Sequence, residues 1–184
     1  MNIDKQLQEI AENLAKCVKD AISCFQCGTC VAACPVSRIT GGDSYHPRRF
    51  VWKTLEGQAH TLLEDSILWL CTSCHACLEH CPQKVPVSEL IQDLQNLASE
   101  IGCAPADIVA EVDNILATGW ALPPSESVNK RREQMGLPPV PIANRNSRDL
   151  QAIAKATKLN KRIKQVKARR EAEAAKAEGG EKAE

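Results

Sequence analysis

The strongest constraint on this chain is a duplicated run of cysteines. The cysteines of the first run, Cys24, Cys27, Cys30 and Cys34, recur 47 residues later as Cys71, Cys74, Cys77 and Cys81. A proline follows the fourth cysteine each time, at Pro35 and Pro82. Any fold must therefore hold eight thiols in two short loops, and the rest of the chain has to be arranged around them.

The spacing of these cysteines predicts iron–sulfur clusters. Thiolate is a soft ligand that suits such clusters, and the run C-x2-C-x2-C-x3-C-P is the bacterial ferredoxin pattern. A structural zinc site needs only four ligands, usually from two C-x2-C pairs, so zinc explains neither the duplication nor the prolines well. The sequence therefore predicts two [4Fe–4S] clusters, with a zinc-stapled interaction module as the alternative from another class.

The ferredoxin pattern also predicts which cysteines share a cluster. In two-cluster ferredoxins the fourth cysteine of each run binds the other cluster. The first cluster is then expected to take Cys24, Cys27, Cys30 and Cys81. The second is expected to take Cys71, Cys74, Cys77 and Cys34. The proline after each fourth cysteine is expected to end any helix there and to turn the chain away from the cluster.

Apolar periodicity predicts an all-α chain. Helical stripes cover roughly residues 3–20, the segment from Val87 to Ile101, and a helix between Pro105 and Gly119. Between the cysteine runs, Pro47 is expected at the first position of a helix, and 62–70 is expected to form a second short helix. A last short helix is expected to end at Gly136, and no stretch alternates as a strand does.

Composition and charge limit the classes of function. The chain has 23 basic and 23 acidic residues and only 3% aromatic residues, so its core is modest and nucleic acid is not expected as a partner. No apolar run reaches membrane-spanning length, and the first residues lack the apolar core of a secretory signal. We therefore predict a cytoplasmic protein without a membrane anchor, in which reduced cysteines bind metal rather than form disulfides.

Several other residues are candidates for tuning the clusters or for binding a partner. His75 and His80 lie within the second cysteine run and are interpreted either as donors to cluster sulfur or as ordinary loop residues. Basic side chains near the runs are potential stabilisers of the reduced clusters or plain surface charges: Arg38, Arg48, Arg49 and Lys84. Cys17 and Cys103 lie on apolar stripes and are interpreted as small buried hydrophobes. Residues 155–170 carry eight basic and no acidic side chains, which favours docking on an acidic subunit.

Motifs for other cofactors or for catalysis are absent from the sequence. No Gly-rich dinucleotide fingerprint follows a strand, and no nucleophile is paired with a base. No two cysteines are adjacent. Two clusters without a substrate site indicate an electron relay whose partners carry out the chemistry, so no catalytic residue is assigned.

The loops carry a resemblance to a known family. The relevant segments are Cys24-Phe25-Gln26-Cys27-Gly28-Thr29-Cys30, His46-Pro47-Arg48-Arg49, Cys71-Thr72-Ser73-Cys74-His75-Ala76-Cys77 and Gly136-Leu137-Pro138-Pro139. Over roughly residues 20–140 the chain resembles the iron–sulfur C subunit of CoB–CoM heterodisulfide reductase.

The resemblance implies a fold and a set of partners. The fold is an α-helical ferredoxin domain. The C-terminal extension beyond about residue 145 lies outside the resemblance, and its composition predicts a helical, partly flexible segment. We divide the chain accordingly into an amphipathic helix (1–20), a di-cluster domain (21–102), C-terminal helices that pack on it or on a partner (103–140) and a charged extension (141–184).

The partners implied are the flavin-bearing A subunit of heterodisulfide reductase, which carries FAD and iron–sulfur clusters, and its catalytic B subunit. Hydrogenase or formate dehydrogenase would supply electrons indirectly, in the flavin-based electron bifurcation of methanogenesis. The chain itself would then be a non-catalytic electron-transfer subunit of an oxidoreductase.

Other iron–sulfur subunits remain alternatives. The corresponding subunits of succinate dehydrogenase and of anaerobic glycerol-3-phosphate dehydrogenase are similar in the cluster region. The 23 residues before Cys24 hold a single cysteine, so the plant-type [2Fe–2S] domain of the first is not expected here. Related disulfide reductases of sulfate reducers or acetogens, with another final acceptor, stay open.

Overall fold

The structure, a computed structural model, describes residues 12, 15–42, 44–121, 125–140 and 147–180. In these ranges the chain is helical and contains no strand, so the all-α prediction is confirmed. The chain divides into two compact units, Met1–Cys103 and Ala104–Glu184. Most of the N-terminal helix expected over residues 3–20 lies outside the described residues, and the described part is helical over 15–21.

The first unit contains six helices among its described residues. They are α1 (15–21), α2 (Thr29–Ala33), α3 (Pro35–Ile39), α4 (Pro47–Leu55), α5 (Ala76–Glu79) and α6 (Val87–Glu100). Pro47 occupies the first turn of α4, as predicted, and the ring of His46 caps this helix by accepting a hydrogen bond from Arg49 N at 2.9 Å. The short helices α2 and α5 each follow the second cysteine of a run and pack against each other.

Helix α6 forms the centre of the core. Its apolar residues recur at helical spacing, and Leu90, Ile91 and Leu94 are at most 1% exposed. Phe50 and Val51 of α4 and Cys17 of α1 are fully buried in the same cluster. Burial of one such large aliphatic side chain contributes about 1.5–3 kcal/mol. Helix α6 thus packs against α4 and against α5, the short helix of the second cysteine run.

The segment before the second cysteine run differs from the prediction. A single short helix was expected over 62–70, but the chain forms two 3-10 helices, Ala59–Leu62 and Ser66–Leu70. Asp65 separates them, because its carboxylate accepts a hydrogen bond from Ile67 N at 3.0 Å and begins the second one. The other carboxylate oxygen of Asp65 pairs with Arg49 Nη2 at 2.9 Å, which ties this segment to α4.

The second unit consists of α7 (Ala106–Thr118), α8 (Glu126–Gln134), α9 (Ser147–Ala156) and α10 (Leu159–Gly180). Helix α7 follows Pro105 and ends at Gly119, whose left-handed φ of 78° is a common glycine cap, as predicted. Ile163 and Val166 of the basic stretch are buried, and Lys167 pairs with Asp113 of α7. The lysine side chains that the structure describes in α10 are exposed. No helix within the described ranges combines the length and apolarity needed to cross a membrane.

Candidate metal centres

The two cysteine loops share an unusual backbone shape. The second residue after the first cysteine is left-handed in both loops, at Gln26 (φ 56°) and Ser73 (φ 52°). The fourth residue is left-handed as well, at Gly28 (φ 82°) and His75 (φ 59°). A left-handed residue other than glycine costs roughly 1–2 kcal/mol. Both loops keep the shape at this cost because it curls three cysteines around one point.

Each loop lines a small cavity with cysteine side chains. One cavity is lined by Cys24, Cys27, Cys30 and Cys81. The other is lined by Cys34, Cys71, Cys74 and Cys77. Each cavity therefore collects three cysteines of one run and the fourth cysteine of the other. We call them the first and the second cysteine cavity.

The fourth cysteines are fixed by backbone hydrogen bonds to their sulfur atoms. Cys34 lies between α2 and α3, and its Sγ accepts a hydrogen bond from Ser37 N at 3.5 Å. Cys81 Sγ accepts one from Val85 N at 3.3 Å. Pro35 does not merely end a helix, as was expected, because it also occupies the first turn of α3, where its missing N–H costs nothing.

Burial controls the protonation of one thiol at each cavity. Burial raises the pKa of both Cys30 and Cys77 to about 11, with smaller contributions from neighbouring cysteines. The exposed Cys27 behaves in the opposite way: a hydrogen bond with the Thr29 hydroxyl, at 3.3 Å, lowers its pKa. Each cavity thus has an inner cysteine that is protonated without metal. Metal binding has to displace these protons.

Arg48 is the basic side chain that reaches the first cysteine cavity. It lines that cavity from α4, and its Nη1 donates to Gln26 O at 3.2 Å. Arg49, the next residue, is held elsewhere by Asp65 and by Ser44 O. Arg38 and Lys84 are exposed and line neither cysteine cavity.

Tyr45 lines the second cysteine cavity and was not predicted from the sequence. The side chain is 1% exposed, and its hydroxyl interacts with the thiol of Cys71. Burial, and then the nearby thiols, raise the pKa of Tyr45 far above its ordinary range, so the hydroxyl remains a donor. The available signal was that Tyr45 is the single tyrosine of the chain and that buried tyrosines need a hydrogen-bond partner.

The two histidines of the second run have different surroundings. His75 lines the second cysteine cavity, and its Nδ1 lies 3.0 Å from the hydroxyl of the buried Ser88. His80 lines neither cysteine cavity, and its Nδ1 lies 2.9 Å from Ala76 O. A carbonyl only accepts, so Nδ1 of His80 donates to Ala76 O in this contact.

The remaining two cysteines lie apart from the cavities. Cys17 is fully buried in the core cluster, and burial raises its pKa to about 11. Cys103 is partly buried and packs against the same cluster. Neither residue lines either cysteine cavity.

The donor set of the cavities fits iron–sulfur clusters. Four cysteines line each cavity, and N–H groups already point at several of their sulfur atoms, including Gln26 N at 3.4 Å from Cys24 Sγ. Such N–H···S contacts stabilise cluster-bound thiolate. Over the described ranges, no three Cys, His or carboxylate side chains are grouped to hold a single metal ion.

Comparison with known proteins identifies the family. Residues 20–85 match the model of the 4Fe-4S dicluster domain. The C subunit of a ferredoxin:CoB-CoM heterodisulfide reductase from Methanosarcina mazei is 36% identical over 136 residues, which cover 72% of this chain and 82% of that protein. The chain belongs to the family of heterodisulfide reductase C subunits.

Other members of the family agree with this assignment. One of the iron–sulfur C subunits of CoB–CoM heterodisulfide reductase from Methanocaldococcus jannaschii is 33% identical over 145 residues, 78% of this chain and 74% of that protein. The C subunit of the H2:CoB-CoM heterodisulfide,ferredoxin reductase from Methanothermobacter thermautotrophicus is 31% identical over 161 residues, 85% and 84% of the two chains.

Family membership establishes the cofactor and the general role. The dicluster domain carries two [4Fe–4S] clusters, as the cysteine spacing predicts. The chain is an iron–sulfur electron-transfer subunit of an oxidoreductase of the heterodisulfide reductase type.

Proposed function

We propose that each cluster is bound by cysteines of both runs. The first cluster takes Cys24, Cys27, Cys30 and Cys81, and the second takes Cys71, Cys74, Cys77 and Cys34. The observation that carries this proposal is the lining of the two cysteine cavities, since each contains three cysteines of one run and the fourth of the other. When bound, the clusters supply two one-electron carriers.

We further propose that the chain relays electrons between two partner subunits in the cytoplasm. They enter from the flavin-bearing A subunit and leave to the catalytic B subunit, which reduces the CoB–CoM heterodisulfide during flavin-based electron bifurcation. The exposure of one cysteine at each cavity, Cys27 and Cys74, supports this route because it leaves a cluster edge open to a partner. The basic side of α10 supports docking on an acidic surface of one of these partners.

The electron donor has two candidates. A relative from Methanococcus maripaludis, 34% identical over 145 residues, is named as part of an H2/formate:CoB-CoM heterodisulfide,ferredoxin reductase. This supports a hydrogenase or formate dehydrogenase as the indirect donor. The Methanosarcina mazei relative, at 36% identity, is named for ferredoxin as the donor. Ferredoxin is therefore the second candidate.

A ligand substitution tests the proposed cluster binding. Cys34→Ser should damage the cluster of the Cys71 loop and leave the cluster of its own run intact. The measurement is electron paramagnetic resonance of the reduced full chain, with iron and sulfide analysis. Cys103→Ser is the matched control, because Cys103 lines neither cavity and should retain both clusters. Damage confined to the cluster of the Cys24 loop would refute the crossed ligands.

Purification of the native complex tests the relay. A flavoprotein and a cysteine-rich protein should co-purify with this chain in fixed ratio. The complex should reduce the CoB–CoM heterodisulfide with hydrogen or formate, whereas activity with reduced ferredoxin alone would favour the second donor. A complex that lacks both partners would contradict the proposed route.

A further inference from the structure

The two cysteine cavities differ in fixed charge. The first cysteine cavity is lined by Arg48, whose guanidinium is a cation. The second contains no lysine or arginine, and its polar side chains include the hydroxyls of Tyr45 and Ser88 and the ring of His75. The sequence repeat therefore holds two sites with similar backbones and different electrostatics.

Arg48 is held in place by the loop that it faces. Its Nη1 donates to Gln26 O, 3.2 Å away, in the left-handed part of the first loop. The same nitrogen would lie 3.5 Å from a Cβ at position 28, an ordinary contact distance, so the guanidinium lies against the backbone of Gly28. The charge is thus fixed beside Cys27 rather than free in solvent.

The charge of Arg48 is also not neutralised locally. Among the described residues no carboxylate lies within ion-pair distance of it, in contrast to Arg49, which pairs with Asp65. A reduced cluster carries one more negative charge than an oxidised one. A nearby unpaired cation therefore favours the reduced form, and it acts more strongly at a partly buried site than in water.

We propose that the charge of Arg48 raises the reduction potential of the cluster in the first cysteine cavity above that of the cluster in the second. This inference rests on the proposed cluster ligands. The difference in potential gives the relay a direction: electrons enter at the cluster of the second cysteine cavity and pass to the cluster of the first. The partner that accepts electrons from this chain then docks at the face of the Cys24 loop.

The test is a redox titration of the full chain followed by electron paramagnetic resonance. The cluster of the second cavity is identified by its loss or change in Cys34→Ser. Arg48→Gln removes the charge and keeps an amide donor for the loop, whereas Arg48→Lys keeps the charge. Arg38→Gln removes an exposed arginine that lines neither cavity, so it controls for net charge. Iron content is measured for every variant.

The expected result is specific to one cluster. Arg48→Gln should lower the reduced-to-oxidised ratio of the first cluster about tenfold at a fixed potential, which equals about 59 mV for one electron. The second cluster should shift much less, Arg48→Lys should restore most of the difference, and Arg38→Gln should have no effect. Unchanged or equally shifted clusters in Arg48→Gln would overturn the proposal.

Two outcomes distinguish a failure of this inference from a failure of the proposed cluster binding. Wild-type chain without two four-iron clusters would refute the proposed cluster binding itself. If Arg48→Gln loses iron, Arg48→Lys decides: a wild-type potential supports the role of the charge, and a potential lowered as far as expected for Arg48→Gln overturns it.

Discussion

The carboxylate of Asp65 performs two separate tasks, and their loss can be measured separately. One oxygen caps the 3-10 helix Ser66–Leu70, which leads into Cys71, and the other pairs with Arg49 of α4. Loss of a cap costs about 1 kcal/mol, and an ion pair at the edge of burial contributes up to about 1 kcal/mol. Asp65→Ala loses both, so it should destabilise the chain by about 2 kcal/mol. Asp65→Asn retains the cap and should cost about half of that.

The assay is urea unfolding of the cluster-loaded chain, followed anaerobically by circular dichroism. With a urea dependence of about 2 kcal/mol per molar, Asp65→Ala should lower the midpoint by about 1 M. Glu56→Gln, an exposed acidic side chain at the end of α4, is the matched control and should change the free energy of unfolding by less than about 0.5 kcal/mol.

Two results would contradict the assignment of the two tasks. If Asp65→Ala is no less stable than Asp65→Asn, the cap contributes nothing. If Asp65→Asn and Arg49→Gln have additive effects in a double-mutant cycle, the ion pair contributes nothing.

Two further predictions concern the cysteine cavities. Because burial raises the pKa of Cys30 and Cys77 to about 11, both thiols are protonated at neutral pH and must ionise before iron binds. Iron uptake by the cluster-free chain should therefore rise steeply with pH from neutrality and keep rising beyond about pH 9, and a plateau near about pH 9 would argue against buried thiols. Tyr45→Phe keeps the ring and removes the donor to Cys71, which should lower the potential of the second cluster by roughly 40 mV in a redox titration. An equal shift of both clusters would show that the effect does not pass through Cys71.

Sequence patterns sufficed to predict those features that a few neighbouring residues determine by themselves. The spacing of the cysteine runs predicted the cluster type, and Pro47 and Gly119 predicted a helix start and a helix end that the structure contains. Apolar residues at every third or fourth position likewise predicted α6. These features are local, so a short stretch of sequence contains all the information that they need.

The remaining features depend on contacts between distant residues. Tyr45 meets Cys71 only after folding, and no local pattern links the two. Arg48 and Arg49 are neighbours in sequence, but successive helical residues point in different directions, so only one reaches the first cysteine cavity. The 3-10 helices before the second run were mistaken for one helix because the capping bond of Asp65 interrupts an apolar run that resembles a helical one.

The sharing of cysteines between the runs affects how the protein matures and how it is damaged. Filling one cavity fixes a cysteine at the edge of the loop that forms the other cavity, so the second filling begins from a partly ordered site. Loading of the wild-type chain at limiting iron should therefore be cooperative, whereas a variant that lacks one ligand keeps the cluster of the other cavity. Oxidative loss of one cluster would likewise release a cysteine at the edge of the loop that binds the other cluster.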